Sequence, residues 1–96
     1  IIQIPFGVYA VKIKVEELKD YFFGIVNFGI RPTFEKSIPV VEAHIFDFDQ
    51  DIYEKDIEIF FEQKIRDEKK FNGIKELLNQ ITLDINIARE ELNYGN

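Results

Sequence analysis

The segment Val8-Tyr-Ala-Val-Lys-Ile-Lys-Val15 decides the class of fold, because two kinds of side chain alternate along it. In an extended chain Val11 and Ile13 fall on one side, whereas Lys12 and Lys14 fall on the other. This period of two is typical of a β-strand that buries one of its faces. We therefore predict a half-buried strand over residues 8–15.

Three more segments have the composition of strands. Residues 21–28 are rich in aromatic and β-branched side chains, and we predict that they form a hairpin with the first strand. Residues 40–48 alternate and are largely apolar on both faces, which predicts a central strand. Residues 57–62 alternate again, and the acidic residues 49–56 before them predict a further hairpin. Residues 29–39 contain two prolines without periodicity, so we expect an irregular connection.

The spacing of apolar residues changes to three and four in the last part of the chain. The residues with this spacing are Ile74, Leu77, Leu78, Ile81, Ile85, Ala88 and Leu92. The pattern predicts one amphipathic helix over residues 72–92, with Asn72 as its N-cap. Strands followed by one helix predict a mainly β domain, in which an antiparallel sheet or barrel is covered by the helix on one side or end.

Composition limits the classes of function. The 96 residues, 46% of them hydrophobic and 31% charged, are typical of one folded domain. The net charge of −6 opposes binding to nucleic acid, and no apolar run approaches the roughly 20 residues that span a membrane. The chain has no cysteine, so nothing calls for an oxidising compartment, and we expect a cytoplasmic location.

Three side chains suggest chemistry through their type and position. Glu42 and His44 share one face of a predicted strand, and a carboxylate at the rim of a core is suited to act as a general base. A structural ion pair would produce the same pattern. The planar guanidinium of Arg66 suits phosphate or carboxylate recognition, although the mixed charge around it is also typical of a solvated turn.

Acidic residues in the predicted second hairpin match part of a calcium-binding loop. The matching residues are Asp47, Asp49, Asp51 and Glu58. Ile52 stands where such a loop needs a glycine, so we favour a solvated acidic loop and predict no metal site.

Five segments resemble, in order, successive blocks of the riboflavin kinase domain of bacterial bifunctional riboflavin kinase/FAD synthetases. They are residues 7–11, 24–34, 41–48, 64–71 and 77–84, and Ala88-Arg89 matches as well. The resemblance implies that residues 1–96 are the C-terminal portion of this domain, with strands over residues 7–66. The implied fold is an antiparallel riboflavin-kinase-like β-barrel, complete or incomplete, followed by one long C-terminal helix. The implied reaction is transfer of the γ-phosphoryl group of ATP to riboflavin, which gives FMN and ADP with Mg²⁺.

The same resemblance implies roles for five residues. The catalytic glutamate of the family lies in a Val-Glu-x-His strand, so Glu42 is expected to be the general base for the ribityl 5′-hydroxyl. Arg66 matches an arginine of a mobile loop beside the flavin and phosphates, and we expect it to bind substrate. Asn27, Arg31 and Thr33 match a block that is similar to a flap bordering the active site, so we also expect substrate binding there.

The sequence departs from the family at two places. Nothing in it matches the glycine-containing loop and Pro-Thr-Ala-Asn motif, whose threonine and asparagine hold magnesium and ATP phosphates in the family. We therefore expect the main ligands of Mg²⁺ and ATP, together with an N-terminal adenylyltransferase domain, upstream of this chain. The alternative is a truncated, non-catalytic flavin-binding or interaction domain. At Glu54 the family usually has glycine, so we expect a different turn there.

Overall fold

The strand predicted first lies in the middle of a four-stranded sheet. The computed structural model describes residues 4–94, and these contain β1 (Gly7–Val15), β2 (Tyr21–Pro32), β3 (Ser37–Ile45), β4 (Ile57–Arg66) and α1 (Ile74–Glu91). The strand order is β3-β2-β1-β4, and every pair is antiparallel. The sheet is open, and the mainly β fold with one C-terminal helix is confirmed. This arrangement is consistent with an incomplete form of the expected barrel.

The two faces of the sheet carry separate hydrophobic clusters, because successive residues of a strand point to opposite faces. The first cluster is formed by Tyr9, Val11, Ile13, Val15, Val26 and Phe28. The second is formed by Val8, Ala10, Ile25, Phe46 and Ala88. Because Ala88 belongs to α1, the helix packs on this second face.

Strand β3 is an edge strand, so the prediction of a central strand is wrong. It pairs with β2 on one side, and Val41 is still 39% exposed. Apolar residues on both faces are a poor guide to the number of neighbouring strands. The predicted second hairpin is also wrong, since β3 and β4 lie at opposite edges. The connection between them crosses the end of the sheet, where the amide of Glu16 donates to the carbonyl of Asp56 at 2.8 Å.

The predicted irregular connection over residues 29–39 is mostly strand, so this prediction is wrong. Strands β2 and β3 continue through it and meet at a tight turn, in which the amide of Thr33 donates to the carbonyl of Lys36 at 2.6 Å. Pro39 is tolerated because β3 is an edge strand, where a missing N–H is permitted. The strand ends at Ile45, so the strand predicted over residues 40–48 extends too far. Phe46 still packs on the helix-covered face, whereas the backbone turns at Asp47, which has a φ of 51°, and Phe48 packs against Phe22 of the other face.

Helix α1 begins two residues later than predicted. Its N-cap is Gly73, without a side-chain cap, so the assignment of Asn72 as N-cap is wrong. The buried residues are Asp84 and Ala88, whereas Ile74 is 72% exposed. The inward face therefore keeps most of the predicted apolar stripe, but it lacks Ile74 and Leu78 and includes a carboxylate. Within residues 4–94, no helix has both the length and the apolar character needed to cross a membrane.

Candidate active site

A cavity of about 440 Å³ lies on the helix-covered face of the sheet. It is lined by Val8, Ile25, Asn27, Arg31, Glu42, Ala43, His44, Arg66, Phe71, Leu77, Ile81 and Asp84. Pockets that bind small organic molecules have volumes of about 300–1,000 Å³ and combine apolar walls with a few polar groups. The cavity matches that description in both size and composition.

One row of residues across the sheet brings the predicted site residues together. Strand pairing places Glu42 opposite Asn27, Asn27 opposite Val8, and Val8 opposite Arg66. Directly paired residues project from the same face of a sheet. Glu42 and Arg66, which are 24 positions apart in sequence, therefore lie at the two ends of one row that borders the cavity.

Arg31 connects two carboxylates at the β3 side of the cavity. Its Nη2 donates to Oε1 of Glu42 at 2.5 Å, and its Nη1 donates to Oε1 of Glu68 at 3.3 Å. The hydrogen bond with Glu42 is the main reason that the pKa of the Arg31 guanidinium is raised above its ordinary value, and Glu68 adds to this effect. Gly29 permits the approach of Glu68, because a Cβ at that position would lie 1.9 Å from its Oε1.

Arg66 is held by α1 at the other side of the cavity. Its Nε donates to Oδ1 of Asp84 at 2.9 Å, and its Nη2 donates to Oδ2 at 2.8 Å. Gln80 donates to the same Oδ1 at 3.0 Å. Nη1 of Arg66 donates to the backbone carbonyl of Asp67 at 3.0 Å. The guanidinium is thus fixed by a two-bond pairing with a buried carboxylate and by one backbone contact.

Asn27 presents an unused acceptor in the middle of the row. Its Oδ1 is buried, and none of residues 4–94 donates a hydrogen bond to it. A buried polar atom without a partner costs free energy, so such atoms in native structures call for an explanation. Asn27 also lines the cavity, so this side chain borders the space that a ligand would occupy.

The predicted site residues are not all at the cavity. Glu42, Arg66, Asn27 and Arg31 line it, whereas Thr33 lies in the turn between β2 and β3 and its hydroxyl donates to the carbonyl of Lys36 at 2.6 Å. Substrate binding by Thr33 stays a prediction.

Asp84 is a charged residue of the cavity to which the sequence alone assigned no role. Its signal is positional: it lies three residues after Ile81 and four before Ala88, on the inward face of an amphipathic helix. A carboxylate at such a position indicates a buried partner of opposite charge.

The acidic segment before β4 forms ordinary surface contacts. Oδ2 of Asp47 accepts a hydrogen bond from the Tyr94 hydroxyl at 2.7 Å and lies 3.6 Å from Nη1 of Arg89. Across the described range 4–94, no three histidine, aspartate or glutamate side chains are grouped so that they could hold a metal ion.

The cavity with its paired carboxylates and guanidiniums has the size and lining typical of a small-molecule site, and comparison with known proteins names the family. Residues 1–92 match the family model called Flavokinase, described as riboflavin kinase. The chain therefore belongs to the riboflavin kinase family.

Two bacterial relatives carry the same description, bifunctional riboflavin kinase/FMN adenylyltransferase. The protein from Buchnera aphidicola (Acyrthosiphon pisum) is 48% identical over 89 residues, and that from Bacillus subtilis is 45% identical over 83 residues. These matches cover 91% and 83% of this chain. The chain spans only 28% and 26% of the length of the two relatives.

A solved structure shares the fold. It comes from Streptococcus pneumoniae and is described as a macrolide-efflux protein. The TM-score is 0.77 at 30% sequence identity, and the match covers 88% of this chain and 27% of that one. The sheet and helix described above are therefore an arrangement that also occurs in a larger solved protein.

Proposed function

We propose that the protein phosphorylates riboflavin with ATP and produces FMN and ADP. The main support is the row that runs from Glu42 through Asn27 to Arg66 and borders one cavity. The family relationship supplies the reaction class, and both relatives are named as riboflavin kinases. Because both relatives are named as bifunctional, we also propose an adenylyltransferase domain in the same polypeptide. We further propose a cytoplasmic location.

Glu42 is the general base of the proposed reaction. Its carboxylate accepts the proton of the ribityl 5′-hydroxyl while that oxygen forms a bond to the γ-phosphorus of ATP and the bond from phosphorus to ADP breaks. The Glu42 side chain is 58% exposed, so a substrate hydroxyl can reach it. The hydrogen bond from Arg31 engages Oε1 and orients the carboxylate, which leaves Oε2 for the substrate.

The other cavity residues bind riboflavin in this proposal. Ile25, Leu77 and Ile81 offer apolar surface to the flavin ring, because a planar aromatic system is stabilised by leaving water. The buried Oδ1 of Asn27 accepts a hydrogen bond from a ribityl hydroxyl or a ring N–H. Arg66 donates to the polar edge of the flavin.

ATP is the co-substrate, and Mg²⁺ enters the proposal through the family relationship. Residues 4–94 contain no group of side chains that could hold a metal ion, so we assign no metal ligand among them. In the family these ligands lie in the Pro-Thr-Ala-Asn motif, which has no match in the given sequence.

The test is FMN formation by the natural polypeptide that carries these residues, with riboflavin and MgATP. Replacing Glu42→Gln removes the base but retains size, so we expect turnover to fall by about 10²–10⁴-fold. Glu62→Gln, an exposed glutamate on β4, is the matched control and should retain parental turnover. Turnover of Glu42→Gln within a few-fold of the parent contradicts the assigned role. Quenching of flavin fluorescence without FMN formation by the parent would instead support the alternative of a non-catalytic flavin-binding domain.

A further inference from the structure

Asp84 is buried in a way that needs an explanation. Its exposed fraction is 1%, and among residues 4–94 it is the one charged residue that is buried. An ionised carboxylate is costly to remove from water unless it is paired and hydrogen-bonded. A leucine on this face of α1 would pack against the sheet without that cost. The position therefore gains something from the carboxylate other than helix packing.

The partners of Asp84 restrict one side chain in particular. Both of its carboxylate oxygens accept from Arg66, at 2.9 and 2.8 Å, and Gln80 supports Oδ1 at 3.0 Å. Two parallel bonds between a guanidinium and a carboxylate fix the plane as well as the position of the arginine. Arg66 is thus held by α1, although it is itself the last residue of β4.

The pairing also changes what Arg66 can offer to a ligand. Its Nε, Nη1 and Nη2 each use one N–H on Asp84 or on the carbonyl of Asp67. One N–H remains free on each of Nη1 and Nη2, and the pairing with Asp84 fixes the direction in which each of these N–H groups points. Because Asp84 balances the charge, the pair attracts a polyanion weakly but presents directed donors to a neutral polar group.

We propose that Asp84 is a positioning residue that orients Arg66 toward riboflavin and not toward the triphosphate of ATP. This inference rests on the proposed function. The helix thereby takes a part in substrate recognition, whereas the roles implied by the family resemblance include Arg66 but not Asp84. Loss of Asp84 should therefore raise the KM for riboflavin and leave the KM for MgATP unchanged.

The experiment compares Asp84→Asn, Arg66→Met and the double variant in the natural polypeptide. We expect Asp84→Asn to raise the riboflavin KM by about tenfold or more, with the MgATP KM within about twofold of the parent. In the Arg66→Met background, adding Asp84→Asn should change the riboflavin KM by less than about twofold, because the two residues act as one unit. Asp47→Asn is the matched control, since Asp47 also contacts a helix arginine but lies outside the cavity.

Several results would overturn the proposal. Equal changes in both KM values, additive effects in the double variant, or a parental riboflavin KM in Asp84→Asn would each do so. If Asp84→Asn does not fold, Gln80→Met loosens the same carboxylate, and an unchanged riboflavin KM in that variant contradicts the role. If the parent makes no FMN, the proposed function fails, and this inference fails with it. The NMR signal of the Arg66 Nε–H then still reports whether Asp84 holds the guanidinium.

Discussion

Nη2 of Arg31 lies 2.5 Å from Oε1 of Glu42, and this contact joins β2 to β3 beside the cavity. The two side chains are 38% and 58% exposed, so water screens their attraction. The contact therefore orients the proposed base more than it stabilises the fold. Glu68 contacts the same guanidinium through Nη1 and extends the arrangement to the segment after β4.

Arg31→Met should separate activity from stability. It removes the group that orients Glu42, so we expect FMN turnover to fall by about tenfold or more. The exposed ion pair contributes little to folding, so the free energy of unfolding in urea should change by less than about 1 kcal/mol. Lys36→Met, which removes an exposed cation from the neighbouring turn, is the control. Parental turnover in Arg31→Met, or a much larger loss of stability, would show that the contact is structural.

Asn27→Leu should stabilise the protein while weakening substrate binding. The variant removes a buried acceptor that none of the described residues satisfies, which should add about 1 kcal/mol to the free energy of unfolding. Loss of that acceptor should weaken riboflavin binding, measured by quenching of flavin fluorescence, by about tenfold. Asn86→Leu, at an exposed position of α1, is the control. A less stable variant with parental affinity would mean that Oδ1 serves the fold and not the ligand.

Glu54→Gly should stabilise the turn before β4. Glu54 has a φ of 64°, in the left-handed region that glycine adopts without cost, and the resemblance places glycine at this position. Relief of the conformational cost should raise the midpoint of urea unfolding, by an amount that corresponds to about 1 kcal/mol in the free energy of unfolding. The greater freedom of glycine in the unfolded chain offsets part of this gain. Glu54→Ala loses the same carboxylate but retains Cβ, so it should show no such gain. Equal midpoints for the two variants would remove the argument from backbone conformation.

Asp47 should contribute to a loss of stability in acid. The hydrogen bond from Tyr94 lowers the pKa of the Asp47 carboxyl below its ordinary value of 3.8, and Arg89 adds to this. Because the folded-state pKa is the lower one, the contribution is present above the unfolded pKa and disappears as the pH falls through the folded value. The melting temperature of the parent should therefore decrease below about pH 4. The melting temperature of Asp47→Asn should decrease less over the same pH interval. Asp49→Asn, an exposed aspartate of the same segment, is the control, and identical pH profiles for the two variants would contradict the role of Asp47.

The types of element follow from local patterns in the sequence. The alternation in β1 and the spacing of three and four in α1 each reflect the geometry of a single element, so they can be recognised without knowledge of its neighbours. Resemblance to the family singled out Glu42, Asn27, Arg31, Thr33 and Arg66, and all of these except Thr33 line one cavity. The chemical identity of most of the candidate site was thus available from the sequence alone.

The order of the strands and the partners of the site residues were decided by the tertiary structure. The pattern of β3 resembles that of a central strand, yet β3 lies at an edge, and the segment after it crosses to the opposite edge. Likewise, nothing in the sequence pairs Arg66 with Asp84, 18 positions away, until α1 packs on the sheet. Strand order and side-chain pairing depend on contacts between distant segments, whereas periodicity records only which face of each segment is apolar.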